Sequence, residues 1–358
     1  MSEKIPVGVL GATGSVGQRF VTLLAEHPWF DLVLLTGSTR SAGMPYGEAV
    51  NWMQATPLPP RVAAITVQQS MPPLPARMLF SALGGEVAGP LETELARAGH
   101  VIISNASSHR MDPDVPLIVP EVNADHLELA RRQSFGDGAI FTNPNCSTIG
   151  LAMALKPLMD AFGVQEVLCV TMQALSGAGV PGVPSLAIMD NVIPFIDGEE
   201  EKVESEAAKI LGTLRGDGIV PAELTISAQC NRVAVLDGHT ECVSVRLSRP
   251  AELEEIKESF HRFSGEPQRL RLPSAPRRPI HFCEQPDRPQ PRLDRDTGGG
   301  MTVSIGRLRP CPILDVKFVC LSHNTLRGAA GGAVLLAELL AAKDMMAGIT
   351  VPGPGDGS

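Results

Sequence analysis

Cys146 stands in the run Thr142-Asn143-Pro144-Asn145-Cys146-Ser147-Thr148-Ile149-Gly150. Residues Ala139 to Thr142 suit a short strand, Pro144 stiffens a turn, and Ile149, Leu151, Ala152 and Leu155 recur with helical period. Asn145 is an N-cap type, which puts Cys146 at the first helical position. The unpaired N–H groups and the positive dipole end of a helix are expected there to stabilise a thiolate and lower its pKa. The same N–H groups could hold an oxyanion once sulfur has attacked a carbonyl. A cysteine taken alone is more often a small apolar residue packed under a helix start. The remainder of the chain decides between the two.

A second cluster is Cys230-Asn231-Arg232-Val233-Ala234-Val235-Leu236-Asp237-Gly238-His239-Thr240-Glu241. Asp237-Gly238 reads as a two-residue hairpin turn that pairs Leu236 with His239. Strand alternation then places Arg232, Leu236 and His239 on one face, with Arg232 roughly 13 Å from the turn. A guanidinium and an imidazole on one face could meet a single small ligand. Gln173-Ala174-Leu175-Ser176-Gly177-Ala178-Gly179 ends a strand in a flexible turn, and Glu199-Glu200-Glu201-Lys202 opens a helix. Acids at a helix start have an ordinary electrostatic explanation. Ser104-Asn105-Ala106-Ser107-Ser108-His109-Arg110 lies past the end of a strand, on the binding edge of a parallel sheet.

Near the start, Ile5 to Leu10 reads as a buried strand, followed by Gly11-Ala12-Thr13-Gly14-Ser15-Val16-Gly17 and a helix from about Gln18 to His27. Glycines between a first strand and a first helix let backbone N–H groups approach a pyrophosphate, so this loop predicts a dinucleotide. The next strand, Leu32 to Thr36, ends in Gly37-Ser38-Thr39-Arg40-Ser41 with no acid. An acid there would hold a ribose 2′-OH. Ser38, Arg40 and Ser41 suit a 2′-phosphate instead, which favours NADP.

These groups need a scaffold, and strands at Met78–Ala82 and Val101–Ser104 with a helix at Leu91–Ala98 extend a Rossmann-type α/β parallel sheet. Beyond Cys146 the pattern changes to an α+β domain. Strands Glu166–Gln173, Ala222–Val235 and Thr240–Leu247 look antiparallel, with helices at Glu199–Leu214 and Glu252–Phe263. The expected division is 1–145 for NADP, 146–324 for catalysis and oligomerisation, 325–347 as a helix returning to the first domain, and 348–358 as a flexible tail. Residues 272–300 are rich in Pro, Arg and Gly and suggest an excursion across a subunit interface. A net charge of −9 argues against nucleic acid, and no apolar run approaches a membrane span. Seven cysteines without a C-x-x-C pair argue against disulfides and against a metal site, and for a reducing cytoplasm.

Five motifs in order resemble aspartate-semialdehyde dehydrogenase of the archaeal and fungal branch: Gly11–Gly17, Asn143–Thr148, Gln173–Gly179, Asn231-Arg232 with Asp237-Gly238-His239, and His323-Asn324-Thr325-Leu326-Arg327-Gly328-Ala329-Ala330-Gly331-Gly332. The resemblance runs from about residue 5 to 343. It implies a glyceraldehyde-3-phosphate-dehydrogenase-like architecture, and NADPH-dependent reduction of 4-phospho-L-aspartate to L-aspartate 4-semialdehyde and phosphate. It implies Cys146 as nucleophile, His239 as acid/base and Gln173 orienting the intermediate. Arg232 would grip the α-carboxylate and Glu199 the ammonium. Arg110, Asn145 and Lys202 match phosphate-binding positions, the register of Glu199 and Lys202 being blurred by the neighbouring glutamates. Cofactor positions implied are Gly11, Thr13, Gly14, Ser15, Val16, Gly17, Ser38, Arg40, Ser41, Ser81, Ser176, Gly177, Asn324 and Gly328. A homodimer or homotetramer is expected by analogy. Malonyl-CoA reductase resembles the same branch and shares the thioester and hydride chemistry, but its substrate has no amino group. N-acetylglutamyl-phosphate reductase fits less well, since an acylated amine needs no acid partner. A non-catalytic NADP-binding regulator on this fold is the alternative of a different class.

Overall fold

The computed structural model describes residues 4–345, except 217. Its first sheet has six parallel strands: β1 (Ile5–Leu10), β2 (Phe30–Gly37), β3 (Gln68–Gln69), β4 (Met78–Ser81), β5 (Val101–Ser104) and β6 (Ala139–Thr142). Their spatial order is β3-β2-β1-β4-β5-β6, so the connections reverse between β1 and β4, the kind of place where such sheets bind ligands. The central strands are buried along nearly their whole length because helices cover both faces. Helix α1 (Ser15–Leu24) follows β1, starting at Ser15 rather than Gln18 because Gly14 is already the extended N-cap. Helix α2 (Gly85–Arg97) also starts earlier than expected, carrying Pro90 in its second turn, where the carbonyl it cannot bond belongs to exposed Glu86.

The second sheet contains β7 (Val164–Gln173), then, past a small ribbon of β8 (Thr213–Arg215) and β9 (Gly218–Val220), β10 (Thr225–Arg232), β11 (His239–Leu247), β12 (Ile280–Cys283), β13 (Val303–Pro310) and β14 (Val316–Ser322). Its order is β10-β7-β11-β14-β13-β12. Helices α3 (Cys146–Phe162), α4 (Glu199–Ile210) and α5 (Leu253–Arg262) share one apolar core with its inner face. The expected hairpin at Asp237-Gly238 does not form. β7 lies between β10 and β11, pairing parallel with β10 and antiparallel with β11. Asp-Gly signals a tight turn but not what the turn joins. Here it ends a crossover past β7, and Leu236 is 70% exposed instead of paired.

Helix α6 (Gly331–Ala342) enters through a π-turn at Leu326–Ala330 and packs into the core of the first sheet. Being apolar all round, it must be buried. Its one acid, Glu338, is matched by His27 at 2.8 Å and by the Ser274 backbone N–H and hydroxyl. Residues 272–300 fold back on their own chain, supplying the edge strand β12 and a short helix at Pro291–Asp294, braced by Arg288 Nε donating to Asp294 at 2.7 Å. The predicted 348–358 tail lies outside the described residues. Among the described residues no helix is long and apolar enough to cross a membrane.

Glu241, on the inner face of β11, is fully enclosed, and neither carboxyl oxygen has a hydrogen-bond partner. Burial alone pushes its pKa well above the ordinary value near 4.5. The folded protein therefore keeps a proton that the unfolded chain releases, and stability falls as pH rises above that value. Glu241→Gln, which cannot ionise, is expected to match wild type near pH 4 and to exceed it by at least about 1 kcal/mol at pH 8. Parallel urea titrations at the two pH values check this. An unchanged difference would mean that the carboxyl does not titrate across folding.

Candidate active site

Strand register brings the polar groups together. Arg232 ends β10 opposite Gln173, which ends β7, while Thr240 of β11 sits opposite Met172 and His239 opposite Ser322 of β14. Arg232, Gln173, His239 and Ser322 thus occupy inward positions along one edge of the second sheet. The N-terminus of α3 abuts that edge, and Cys146 Sγ lies 3.1 Å from His239 Nε2. Arg232 and His239 do meet, as the sequence suggested, but across an intervening strand rather than along a hairpin. Gly177 makes the closeness possible: a Cβ there would stand 3.0 Å from Arg232 Nη1 and 3.3 Å from the His239 ring.

Asn145 caps α3, its Oδ1 accepting from the N–H groups of Ser147 and Thr148 at 2.9 and 3.2 Å. Such a cap contributes about 1 kcal/mol. It also consumes two of the donors expected to hold an oxyanion, leaving the Cys146 N–H as the one in that turn the cap does not engage. The expected depression of the Cys146 pKa is reversed. Burial, reinforced by the Glu199 carboxylate, pushes the thiol up to about 12 against the pull of Arg110, Arg232 and the Ser147 N–H. A helix start favours the anion by only a fraction of the desolvation that opposes it here. Cys146 is half-buried, whereas His239 is fully enclosed. Burial, then Arg232 and His323, hold its pKa down to about 3. Its Nδ1 accepts from the Ala174 N–H at 3.0 Å, which fixes the neutral tautomer with the proton on Nε2, facing sulfur.

The charged candidates form a linked set. Glu199 Oε1 accepts from Asn145 Nδ2 at 2.7 Å and Gln173 Nε2 at 2.9 Å, while Oε2 lies 3.5 Å from Lys202 Nζ. The three consecutive glutamates separate cleanly: Glu199 faces the site, Glu200 accepts from the Cys230 N–H, and Glu201 is exposed. Gln173 also donates to Ser147 Oγ and keeps a buried, unpartnered Oε1. Arg232 Nη1 donates to the Ala174 carbonyl at 2.6 Å. Arg110 is buried and paired to Glu206 at 2.9 Å. Asn145 has its amide engaged at both ends and its backbone N–H given to Glu206, so the second N–H of its side-chain amide is the donor left for a phosphate. Sequence reasoning missed Glu206 and Lys209. The available signal was their spacing from Glu199 and Lys202, which puts all four on one side of α4.

The glycine loop fits a dinucleotide. Gly11 has φ +72° and packs its α-carbon on the Ala82 carbonyl, and a Cβ on Gly17 would stand 2.3 Å from the Gly11 carbonyl. No side chain caps α1, so its first N–H groups face an open cleft of about 410 Å³. Ser15 and Arg19 line it on one side, with Ser176, Asp237 and Thr325 on the other. Thr13 and Val16 are half-buried in the same loop. Asn324 ties the far wall, accepting from the Gly238 N–H at 2.9 Å and donating to Ser176 Oγ at 2.8 Å. Ser38 and Arg40 are exposed beyond β2, whereas Ser41 is buried and donates to the Ser38 carbonyl. Ser81 is fully buried at the end of β4.

A Rossmann-type sheet with a glycine loop, joined to a second, mixed sheet whose His239 meets a cysteine at a helix start, defines a semialdehyde dehydrogenase architecture. Family models agree: residues 6–130 match the semialdehyde dehydrogenase NAD binding domain, and residues 155–327 its dimerisation domain. The aspartate-semialdehyde dehydrogenase of Archaeoglobus fulgidus is 50% identical over 93% of this chain and 97% of its own. That of Saccharomyces cerevisiae is 47% identical over 97% and 100%. The crystal structure of the Candida albicans enzyme with NADP superposes with a TM-score of 0.89 at 44% identity, covering 95% and 99% of the two chains. The chain belongs to the aspartate-semialdehyde dehydrogenase family.

Gly328, in the π-turn, packs directly on the cysteine: a Cβ would lie 2.7 Å from Cys146 Cβ and 3.0 Å from its Cα. Gly328→Ala is expected to leave the fold intact but to displace Cys146, lowering kcat/KM on the order of a hundredfold. Steady-state kinetics with a thermal melt test this. Full activity in the variant would mean that the Cys146 position tolerates movement.

Proposed function

We propose that this protein uses NADPH to reduce 4-phospho-L-aspartate to L-aspartate 4-semialdehyde through a thioester on Cys146, at the branch of amino-acid biosynthesis toward lysine, threonine and methionine. The observation that carries this reading is the 3.1 Å contact of Cys146 Sγ with His239 Nε2 inside a set of paired charges. Arg232 takes the α-carboxylate, Glu199 the ammonium, and Arg110 with Lys202 the phosphate. A nearly enclosed carboxylate such as Glu199 favours a substrate with an ammonium group over malonyl-CoA, which has none.

The ammonium offsets Glu199 and so relieves one of the two effects that hold the thiol neutral. Sulfur attacks the acyl carbon, the bond to the phosphate oxygen breaks, and the thiol proton leaves with the phosphate. A neutral resting thiol is therefore a competent donor for this step. The glycine loop, with Ser38 and Arg40, would hold NADPH, and that group would supply the hydride the thioester accepts. The resulting alkoxide re-forms its C=O as the C–S bond breaks. His239 stabilises both changes as an Nε2–H donor, and the sulfur recovers its proton from solvent. Acyl phosphate, hydride and one proton thus become aldehyde and phosphate.

Seven unbridged cysteines suit a reducing cytoplasm. Leu168 and Val170 on the outer face of β7, with Leu186, Met189 and Phe195 nearby in sequence to α4, are exposed apolar groups that a homodimer or homotetramer would cover. The expected result of adding L-aspartate semialdehyde and phosphate is reduction of NADP+, with no activity on malonyl-CoA. Cys146→Ala is expected to abolish turnover while NADPH still binds, read by fluorescence titration. Turnover retained in that variant would remove Cys146 from the mechanism, and activity on malonyl-CoA alone would replace the substrate.

A further inference from the structure

Helix α4 holds Arg110 by both ends. Glu206, 2% exposed, accepts from Arg110 Nη1 at 2.9 Å through Oε1 and from the Asn145 N–H at 2.6 Å through Oε2. One turn later Lys209 Nζ donates to the carbonyls of Arg110, Asp112 and Val115 at 2.7, 2.9 and 2.9 Å. Arg110 Nη2 donates to the Asn105 carbonyl at 2.7 Å, and its buried Nε–H has no partner. A guanidinium with an idle buried N–H beside the Cys146 helix is a site for an anion. The same guanidinium already carries a full counter-charge.

We infer that Glu206 sets how tightly the phosphate is held, acting as a permanent counter-ion to Arg110, so that phosphate exchanges in each turnover instead of becoming trapped. The inference rests on the proposed phosphate-dependent reaction. A buried guanidinium without a partner would bind a dianion strongly, and strong binding of a released or entering phosphate slows turnover. Glu206 prevents that by repelling the dianion across Arg110. Through Asn145 it also ties the phosphate-binding arginine to the start of the Cys146 helix, so the two sit at a fixed separation. Glu206 touches neither sulfur nor acyl carbon and is a positioning residue.

Glu206→Gln keeps the side-chain length and one of the two accepted hydrogen bonds, and removes the charge. With semialdehyde and NADP+ saturating, its KM for inorganic phosphate is expected to fall about tenfold, as loss of one like charge at second-neighbour distance dictates. The KM for the semialdehyde should stay within about twofold of wild type, since Arg232 and Glu199 are untouched. Calorimetric titration with inorganic phosphate alone should register the same tightening. A mere structural brace would move the phosphate KM upward, and that result, or no change, overturns the inference. If Glu206→Gln does not fold, Glu206→Asp, with its carboxylate withdrawn from Arg110, should lower the phosphate KM by a smaller factor, and a rise overturns the inference equally. Absence of phosphate-dependent NADP+ reduction in wild type would instead refute the underlying reaction.

Discussion

The structure depends on placing one helix start at the junction of two sheets. Thr142 ends the last strand of the first sheet, and α3 begins at Cys146, already inside the core of the second. Asn143 holds the turn between them. Its N–H donates to the Ser104 carbonyl, and its amide donates to Asn105 Oδ1 at 2.9 Å. Only glycine lets the neighbours come close enough: Gly328 against Cys146, Gly177 over Arg232 and His239, Gly150 against Ser322. Gly177 and Gly150 meet side chains, and Gly328 meets the backbone of Cys146 as well as its Cβ, so the cysteine cannot move without shifting an element of regular structure.

The electrostatic consequence is a site in which each buried charge of α4 is matched before any ligand binds. Glu199 meets Lys202, Glu206 meets Arg110, and Lys209 donates to three carbonyls. The groups proposed to do chemistry, Cys146 and His239, are neutral in the same surroundings, because desolvation outweighs the nearby charges. An account that starts from a preformed thiolate would have to find a proton acceptor for it at rest. In the proposed reaction the leaving phosphate is that acceptor, which joins the position of Arg110 to the reactivity of the thiol.

Local patterns were legible in the sequence. The glycine loop, five of the six strands of its sheet (all but the two-residue β3) and the Asn145 cap with Cys146 behind it follow from short-range rules of period and capping. What those rules could not supply was pairing order. Asp237-Gly238 looked like a hairpin because turn chemistry is local, whereas the insertion of β7 between β10 and β11 is decided by segments far apart in the chain. Helical spacing could put Glu206 on the same side of α4 as Glu199, but not name its partners, since Arg110 and Asn145 are distant in sequence. The direction of the Cys146 shift failed differently. A helix start was readable, but the desolvation of the thiol by the surrounding protein and the approach of Glu199 were not.

The central claim is that Cys146 rests as a neutral thiol. It is tested by the rate at which iodoacetamide alkylates Cys146 in the ligand-free enzyme as pH is raised, read from the mass of the Cys146 peptide so that other cysteines do not interfere. Only the thiolate reacts, so the rate should keep climbing in proportion to hydroxide through about pH 10, well past the range of an ordinary thiol. A plateau reached below about pH 8 would mean that the helix start has won over burial, and would contradict the account.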